Sequence, residues 1–369
     1  MSSLTPSDES AHLESAHNGL LEFGRSREIS LGILGDGQLA RMLAGAAIRL
    51  GIQVTIVSPT EDASALISGV RRIRGRTDDP VAVAELAACC DVITAENEFL
   101  DAAMLTRTLA AVAESAALHP HGDAIAVAQD KLVQKHLFEQ LSIARSPAYR
   151  VRSSAAVADT HAASRALGGD VVLKWSRFGY DGRGTLLLPA ADSTAEAARL
   201  INIERFCLAA AERGTEVFAE RMVFFDCEVS QVGTRGEDGT MVFLPLVISL
   251  QESGVCREVW GPATDFGVPD SVQDQTRAAL KAVGDAIGLV GTFAIEFFLC
   301  GDELVANEMA PRVHNTGHWS RFGTETDQFE LHVRAVCGLP LEALPPTRPF
   351  VMRNLLGPAS TTRLDHVVA

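Results

Sequence analysis

The sequence predicts an α/β protein that opens on a parallel sheet layered with helices. Two observations carry this. From Ile29 onward, apolar runs ending in glycine or proline alternate with helix-patterned runs, an order that forces crossover connections and parallel pairing. Beyond about Asp170 the strands become shorter and are separated by turns, which indicates further α/β units. The chain has 369 residues, 47% apolar and 21% charged, enough for two or three domains with cores of their own.

Residues 1–28 are polar, without sustained periodicity, and read as a disordered tail. ISLGILG is a buried strand, and QLARMLAGAAIRLG is a helix closed by Gly51. QVTIVSP is the next strand, VAVAELAACC a helix, and DVITAENE a third strand. Asp130–Leu141 is helical and leads into a new unit. There DVVLKWS and GTLLLP flank a glycine-rich turn, and EVFAERMV, FDCEVSQVGTR and TMVFLPLVI follow as strands. Residues 271–288 form a helix, and TFAIEFFLCGDELVANEMA is a hairpin. Pro340, Pro345, Pro346 and Pro349 mark a linker or irregular segment.

Composition excludes several functions. No uncharged apolar run reaches membrane-spanning length, and the N-terminus lacks the pattern of a secretory signal. A net charge of −15 argues against nucleic-acid binding, which needs a basic face. Seven cysteines form no metal-binding spacing and predict reduced, buried thiols in a cytoplasmic protein.

Two glycine-rich openings stand out. Gly35-x-Gly37-x-x-Ala40 lies between a strand and a helix, where a dinucleotide fingerprint would sit. The second strand ends in Ser58-Pro59 rather than the acid that such a site uses for the ribose. A tight turn, or a helix N-terminus facing a substrate anion, fits as well. FGYDGRGT differs, because it joins two strands. Its backbone N–H groups can fold over phosphates as a lid, and Lys174 on the incoming strand can reach the same phosphates.

Glu296 and Glu308 flank the turn at Cys300-Gly301-Asp302. A hairpin symmetric about Asp302 opposes them on one face, with Cβ atoms ~5 Å apart. Two such carboxylates need a cation between them, and magnesium prefers carboxylate and phosphate oxygens. In NEMAPRVHNTGHWSR, His314 and His318 have zinc-like i, i+4 spacing. Pro311, Asn315 and Gly317 instead predict a loop leaving a strand.

These segments together resemble the ATP-grasp superfamily and, within it, the 5-(carboxyamino)imidazole ribonucleotide synthases. The resemblance runs in order through GILGDGQLARML, ITAENE, QDKLVQKHLFEQL, VLKWSRFGYDGRGT, FAERMVFFDCEVS, NEMAPRVHNTGHW and QFELHVRAVCGLPL. It implies a Rossmann-like N-terminal domain over 29–125 and a two-lobed ATP-grasp fold. The small lobe would cover 126–200, the central lobe with its magnesium hairpin 201–340, and a truncated C-terminal segment 341–369.

The resemblance also implies the chemistry. ATP would phosphorylate bicarbonate, and the exocyclic amine of aminoimidazole ribonucleotide would capture the carboxyl group. Lys131 and Lys174 would contact ATP phosphates under the loop Gly179, Tyr180, Asp181, Gly182, Arg183, Gly184, Thr185. Glu220, Arg221, Met222 and Val223 would form the adenine hinge, and Glu228 would bind the ribose, with Gln251 nearby. Glu296 and Glu308, aided by Asn307, would hold one or two Mg2+ ions. Tyr180, Asp181, Arg183, Arg312, His314, Asn315 and Thr316 would surround bicarbonate and the imidazole, with Gln38 and Glu96 on the substrate side. His318 would be a structural hydrogen-bonder. A homodimer is also implied.

Thr185, Asp327, Gln251 and Ala40 depart from common family choices without removing a catalytic group. The family continues after MRNLLG with a small domain whose basic run holds the ribonucleotide phosphate. PASTTRLDHVVA has no such run, so a truncated product, a phosphate site built differently or a different acceptor is expected, with weaker ribonucleotide affinity if the chain is complete. A catalytically silent subunit would also lack it, but intact Lys131, Lys174, Glu296 and Glu308 argue against that.

Overall fold

A computed structural model of the chain describes residues 29–112, 116–179, 182–188, 196–252, 254–345 and 347–355. The expected tail 1–28 and the lid residues Tyr180 and Asp181 lie outside the described residues.

The first unit contains β1 (Ser30–Leu34), α1 (Gln38–Arg49), β2 (Gln53–Ser58), β3 (Val70–Arg74), α2 (Pro80–Cys89), β4 (Val92–Ala95), α3 (Ala102–Ala111), β5 (Ala117–Leu118) and α4 (Gly122–Gln129). Its five strands pair in parallel in the order β3-β2-β1-β4-β5. That is the doubly wound arrangement the alternating pattern predicts. Each strand is apolar because both faces are covered. Leu31, Ile33 and Ile56 are fully buried. Gly51 closes α1 with φ +74°, a conformation that favours glycine.

Next come α5 (Lys131–Gln140), β6 (Ala148–Val151), α6 (Ala156–Leu167), β7 (Val171–Trp175), β8 (Thr185–Leu188), α7 (Glu196–Glu212) and β9 (Val217–Arg221). Four of these strands form an antiparallel sheet ordered β6-β9-β7-β8. β9, in the stretch read as the central lobe, lies inside this smaller sheet. Leu173, Cys207 and Ala210 pack it against its helices.

The third unit holds β10 (Cys227–Arg235), β11 (Met241–Phe243), β12 (Val247–Glu252), β13 (Val255–Gly261), α8 (Asp270–Ala286), β14 (Gly291–Cys300) and β15 (Glu303–Ala310). The short helix α9 (Ser320–Gly323), α10 (Gln328–Val336) and β16 (Phe350–Arg353) complete it. The sheet runs β15-β14-β10-β12-β13-β16, with β11 also on β10. Two expectations need correction here. TMVFLPLVI is two strands, because Pro245 cannot donate to the ladder. The proline-flanked 350–353 is not irregular: it pairs with β13 from Glu258↔Arg353 to Gly261↔Phe350 and ends the sheet.

The first and third units share a core. Phe329, Val333 and Val336 of α10 pack with Leu43 and Ala47 of α1. At this seam His332 is fully buried. Its Nδ1 accepts from Thr292 N–H at 3.0 Å, and its Nε2 is 2.8 Å from Thr94 Oγ1. All seven cysteines are free, but only Cys90, Cys207 and Cys256 are buried; Cys227, Cys300 and Cys337 are half-buried, and Cys89, at the end of α2, is exposed.

No helix among the described residues is long and apolar enough to cross a membrane.

Candidate active site

The site is assembled on one face of the seven-stranded sheet. Side chains two apart on a strand share a face, and the register puts Ser230 opposite Glu296 and Glu228 opposite Phe298. Glu296 in turn faces Glu308 across the β14–β15 hairpin. The expected opposition is present, but the route differs. The turn is the two-residue Gly301-Asp302, since Cys300 pairs with Glu303. An unbroken ladder would then set Glu296 against Asn307. A β-bulge between the pairs Glu296↔Glu308 and Phe297↔Ala306 leaves Asn307 unpaired and returns Glu308 to the face of Glu296.

Basic side chains converge on these acids. Lys131, the first residue of α5, pairs with Glu308. Lys174 on β7 pairs with Glu220 and donates to Asn307 Oδ1 at 2.8 Å. His314 Nε2 lies 3.6 Å from Glu296 Oε1. Burial, then repulsion from Lys174, lowers Lys131 to about 8. Burial raises Glu296 above the ordinary carboxylate range. Burial, then the charge of Glu296, pushes Glu228 up to about 7.

A cavity of about 440 Å³ brings together Lys131, Gly179, Gln251, Glu296, Glu308, Arg312, His314 and Asn315. Lys174, Asn307, Glu220 and Glu228 adjoin this lining through the ion pairs and strands just described. Gly179 approaches Lys131: a Cβ there would stand 3.7 Å from Lys131 Cε and 3.1 Å from Arg183 O. Gly184 has φ +72°, and a Cβ there would fall 2.9 Å from the Trp175 ring, so the chain turns sharply back into β8. Gly182, Arg183 and Thr185 lie exposed around this turn.

The loop after β15 is pinned from below. His314 N–H donates to Gln328 Oε1, and Gln328 Nε2 donates to His314 O, both at 2.8 Å. The same amide is 2.8 Å from His318 Nδ1, which makes His318 a structural hydrogen-bonder. Thr316 N–H donates to His314 Nδ1 at 3.4 Å, so the ring proton belongs on Nε2, toward Glu296. Burial, then Arg312 and His318, lowers His314 to about 3. His314 is therefore neutral at physiological pH, a donor through Nε2 rather than a proton-bearing acid.

Some expected site residues are engaged elsewhere. Thr316 is 1% exposed, and its hydroxyl lies 2.8 Å from both His314 Nδ1 and Ser230 Oγ. It supports His314 from behind. Gln38 is exposed and reaches Ser64 Oγ at 3.5 Å. Met222 N–H donates to Asp170 O at 2.9 Å, and Ser146 Oγ donates to Arg221 O at 2.7 Å. Both contacts anchor the stretch Glu220–Val223 to the smaller sheet.

Glu96 resolves the first glycine-rich opening. Its carboxylate accepts from Asp36 N–H and Gly37 N–H at 3.2 Å and from Ala40 N–H at 2.9 Å. The anion at the N-terminus of α1 is thus a side chain of the protein itself. Gly35 is required because a Cβ there would fall 2.3 Å from Glu96 Cγ. Glu96→Ala would leave these donors without their acceptor. It is expected to destabilise the chain by about 1–3 kcal/mol in urea unfolding, and a change below about 0.5 kcal/mol would contradict this capping role.

Three supporting residues escaped sequence reasoning. Glu98 holds Arg312 through Nε at 2.6 Å and Nη2 at 3.3 Å. Lys135 contacts Glu220 Oε2 at 2.5 Å. Gln134 joins α5 to β15 by accepting from Met309 N–H at 2.9 Å. Lys135 and Gln134 carried a weak signal, since each sits within a helical turn of Lys131.

The acids fit a magnesium ion. Among the described residues no group of three or more His, Cys, Asp or Glu side chains is placed to hold a metal ion. Magnesium favours one or two carboxylates, with water and phosphate oxygens completing its shell. Glu296 and Glu308, with the Asn307 amide between them in sequence, supply such a partial set.

The chain matches the ATP-grasp domain over residues 136–329 and the ribonucleotide synthetase preATP-grasp domain over 29–129. It is 35% identical to the N5-carboxyaminoimidazole ribonucleotide synthase of Synechococcus elongatus, covering 89% of this chain and 78% of that one. The Staphylococcus aureus N5-carboxyaminoimidazole synthetase complexed with ADP superimposes with TM-score 0.78 at 28% identity, over 89% of this chain and 82% of that one. The Aspergillus clavatus enzyme in complex with ADP and 5-aminoimidazole ribonucleotide gives TM-score 0.77 at 26% identity, over 90% and 83%. With a doubly wound first domain, an ATP-grasp domain and these relatives, the chain belongs to the N5-carboxyaminoimidazole ribonucleotide synthase family of ATP-grasp ligases.

Proposed function

We infer that this chain carries out its family's reaction, the ATP-dependent carboxylation of 5-aminoimidazole ribonucleotide in purine biosynthesis. The observation that carries it is the continuous path in one cavity from Lys131 and the opposed Glu296 and Glu308 to Arg312 and His314. Phosphate-binding and acceptor-binding chemistry meet there.

A bicarbonate oxygen attacks the γ-phosphorus of ATP, the bond to the bridging oxygen breaks, and ADP leaves with that electron pair. The product is carboxyphosphate. The amine nitrogen then bonds to the carboxyl carbon, phosphate departs, and the amine proton passes to the phosphate. Lys131, Lys174 and the lid amides neutralise charge on the moving phosphoryl group. Glu296 and Glu308 would hold Mg2+, which supplies further charge neutralisation at the phosphates. Arg312, oriented by Glu98, faces the carboxyl oxygens, and His314 donates through Nε2. The Gly179–Thr185 lid excludes water from carboxyphosphate.

The test is phosphate release from ATP and bicarbonate, with and without aminoimidazole ribonucleotide. Stimulation by the ribonucleotide is expected. Its absence at millimolar concentration, with ATP still bound, would refute the acceptor assignment.

Glu228 makes a second expectation. A carboxylate accepts ribose hydroxyls better than a carboxylic acid does. With Glu228 pushed up to about 7, ADP affinity should fall as pH drops from about 8 to about 6. Lys131, lowered to about 8, gains its proton over the same range and works in the opposite direction, so Glu228→Gln should remove the fall and leave only a rise in affinity toward lower pH. A Glu228→Gln profile that matches the parent's would contradict the ribose role.

A further inference from the structure

Behind the cavity runs a chain of buried polar contacts that the reaction above does not use in full. Lys135 follows Lys131 by one helical turn on α5, is only 4% exposed, and lies outside the cavity lining. Its ammonium contacts Glu220 Oε2 at 2.5 Å and the carbonyl of Ser146 at 3.4 Å. Glu220, also 4% exposed, gives its other oxygen, Oε1, to Lys174. Lys174 continues to Asn307 Oδ1 at the bulge. Four elements, α5, β9, β7 and β15, are thus joined by one carboxylate set between two ammonium groups.

We propose that Lys135 is a positioning residue for nucleotide-phosphate binding, acting on Lys174 through Glu220. A carboxylate with one buried ammonium partner can engage it with both oxygens and neutralise it. Because Lys135 occupies Oε2, Lys174 reaches Oε1 alone and extends a second hydrogen bond to Asn307. The single negative charge of Glu220 is divided between two cations. Lys174 therefore keeps net positive character toward the acids and phosphates beside Glu308. Burying a lysine that touches no substrate is unfavourable on its own, and this division of charge gives it a function. Burial raises the Glu220 carboxyl, but Lys174 and Lys135 together pull it down to about 2, so it is ionised throughout the working range.

The proposal rests on the nucleotide reading of Lys174 given above. The experiment is calorimetric titration of the full chain with ADP and with adenosine, in magnesium buffer. Lys135→Met should weaken ADP binding about tenfold, the scale of one charge-assisted contact. Adenosine, which lacks phosphates, should bind within about twofold of the parent, and Lys135→Arg should restore ADP binding to within about threefold. If Lys135→Met does not fold, Lys135→Gln, which keeps polar contacts without charge, should show the same loss. Unchanged ADP affinity in the uncharged variant would overturn the proposal. So would equal weakening of ADP and adenosine, which would mark a merely structural role. Failure of the parent itself to bind ADP would instead refute the nucleotide reading, and the proposal with it.

Discussion

Glu308→Gln is expected to lower ribonucleotide-stimulated phosphate release by about 10²–10³-fold. The substitution keeps volume and hydrogen-bonding capacity but removes one of two opposed charges. Glu308 is the only one of the pair in direct contact with Lys131 among the described ion pairs. A single carboxylate binds Mg2+ poorly, and Lys131 loses the partner that holds it at the cavity. Turnover at saturating ATP should fall, and raising magnesium should restore only part of it. Unchanged far-ultraviolet circular dichroism would show that the sheet survives. Turnover within tenfold of the parent would contradict the proposed metal-binding role of Glu308.

Glu220→Leu is expected to destabilise the chain by about 3–5 kcal/mol, because it strands the buried Lys135 and the half-buried Lys174 without a counter-ion. Lys135 and Lys174 then repel each other where water is scarce. The loss should shrink at alkaline pH, since burial lowers Lys135 and a deprotonated lysine no longer needs a partner. In the parent the sign is the usual one for a depressed carboxyl. Glu220 stabilises the fold above its unfolded value of about 4.3, and this contribution is lost as pH falls through about 2. An acid-unfolding component in that window should be present in the parent and missing from Glu220→Leu. Urea unfolding that shows less than about 1 kcal/mol of difference at neutral pH would sink this account.

Local patterns made much of the fold legible. The first sheet follows from strands buried on both faces and from glycine-closed helices. The acidic hairpin follows from two acids around a turn. Even so, the symmetric hairpin placed the turn half a residue off, and the bulge at Asn307 cancels that offset. A bulge depends on neighbouring strands and leaves little trace in a single strand's residues.

The rest was hidden by sequence distance. Glu96 lies 59 residues beyond Gly37, so nothing near the glycines announced that the protein supplies its own anion. Glu98 meets Arg312 across 214 positions. Lys135 meets Glu220 only when α5 packs beside the smaller sheet. The β3 strand, VRRIR, was missed because its exposed arginines break the apolar run, as suits the edge of a sheet. At the opposite extreme, β16 was hidden by the prolines around it, which shape its approach without entering its ladder.

If Lys174 binds nucleotide phosphate as proposed, the bulge at Asn307 sets local regularity against activity. Deleting that one residue would keep Cys300 opposite Glu303 and Glu296 opposite Glu308, and would turn an interrupted ladder into a continuous one. Judged by sheet regularity alone, the shortened hairpin is the better sequence, and a selection for thermal tolerance would favour it. It would also take away the amide that holds Lys174 beside the acids. Sequences optimised only for heat resistance should therefore drift toward a hairpin that is sounder as architecture and poorer as a catalyst.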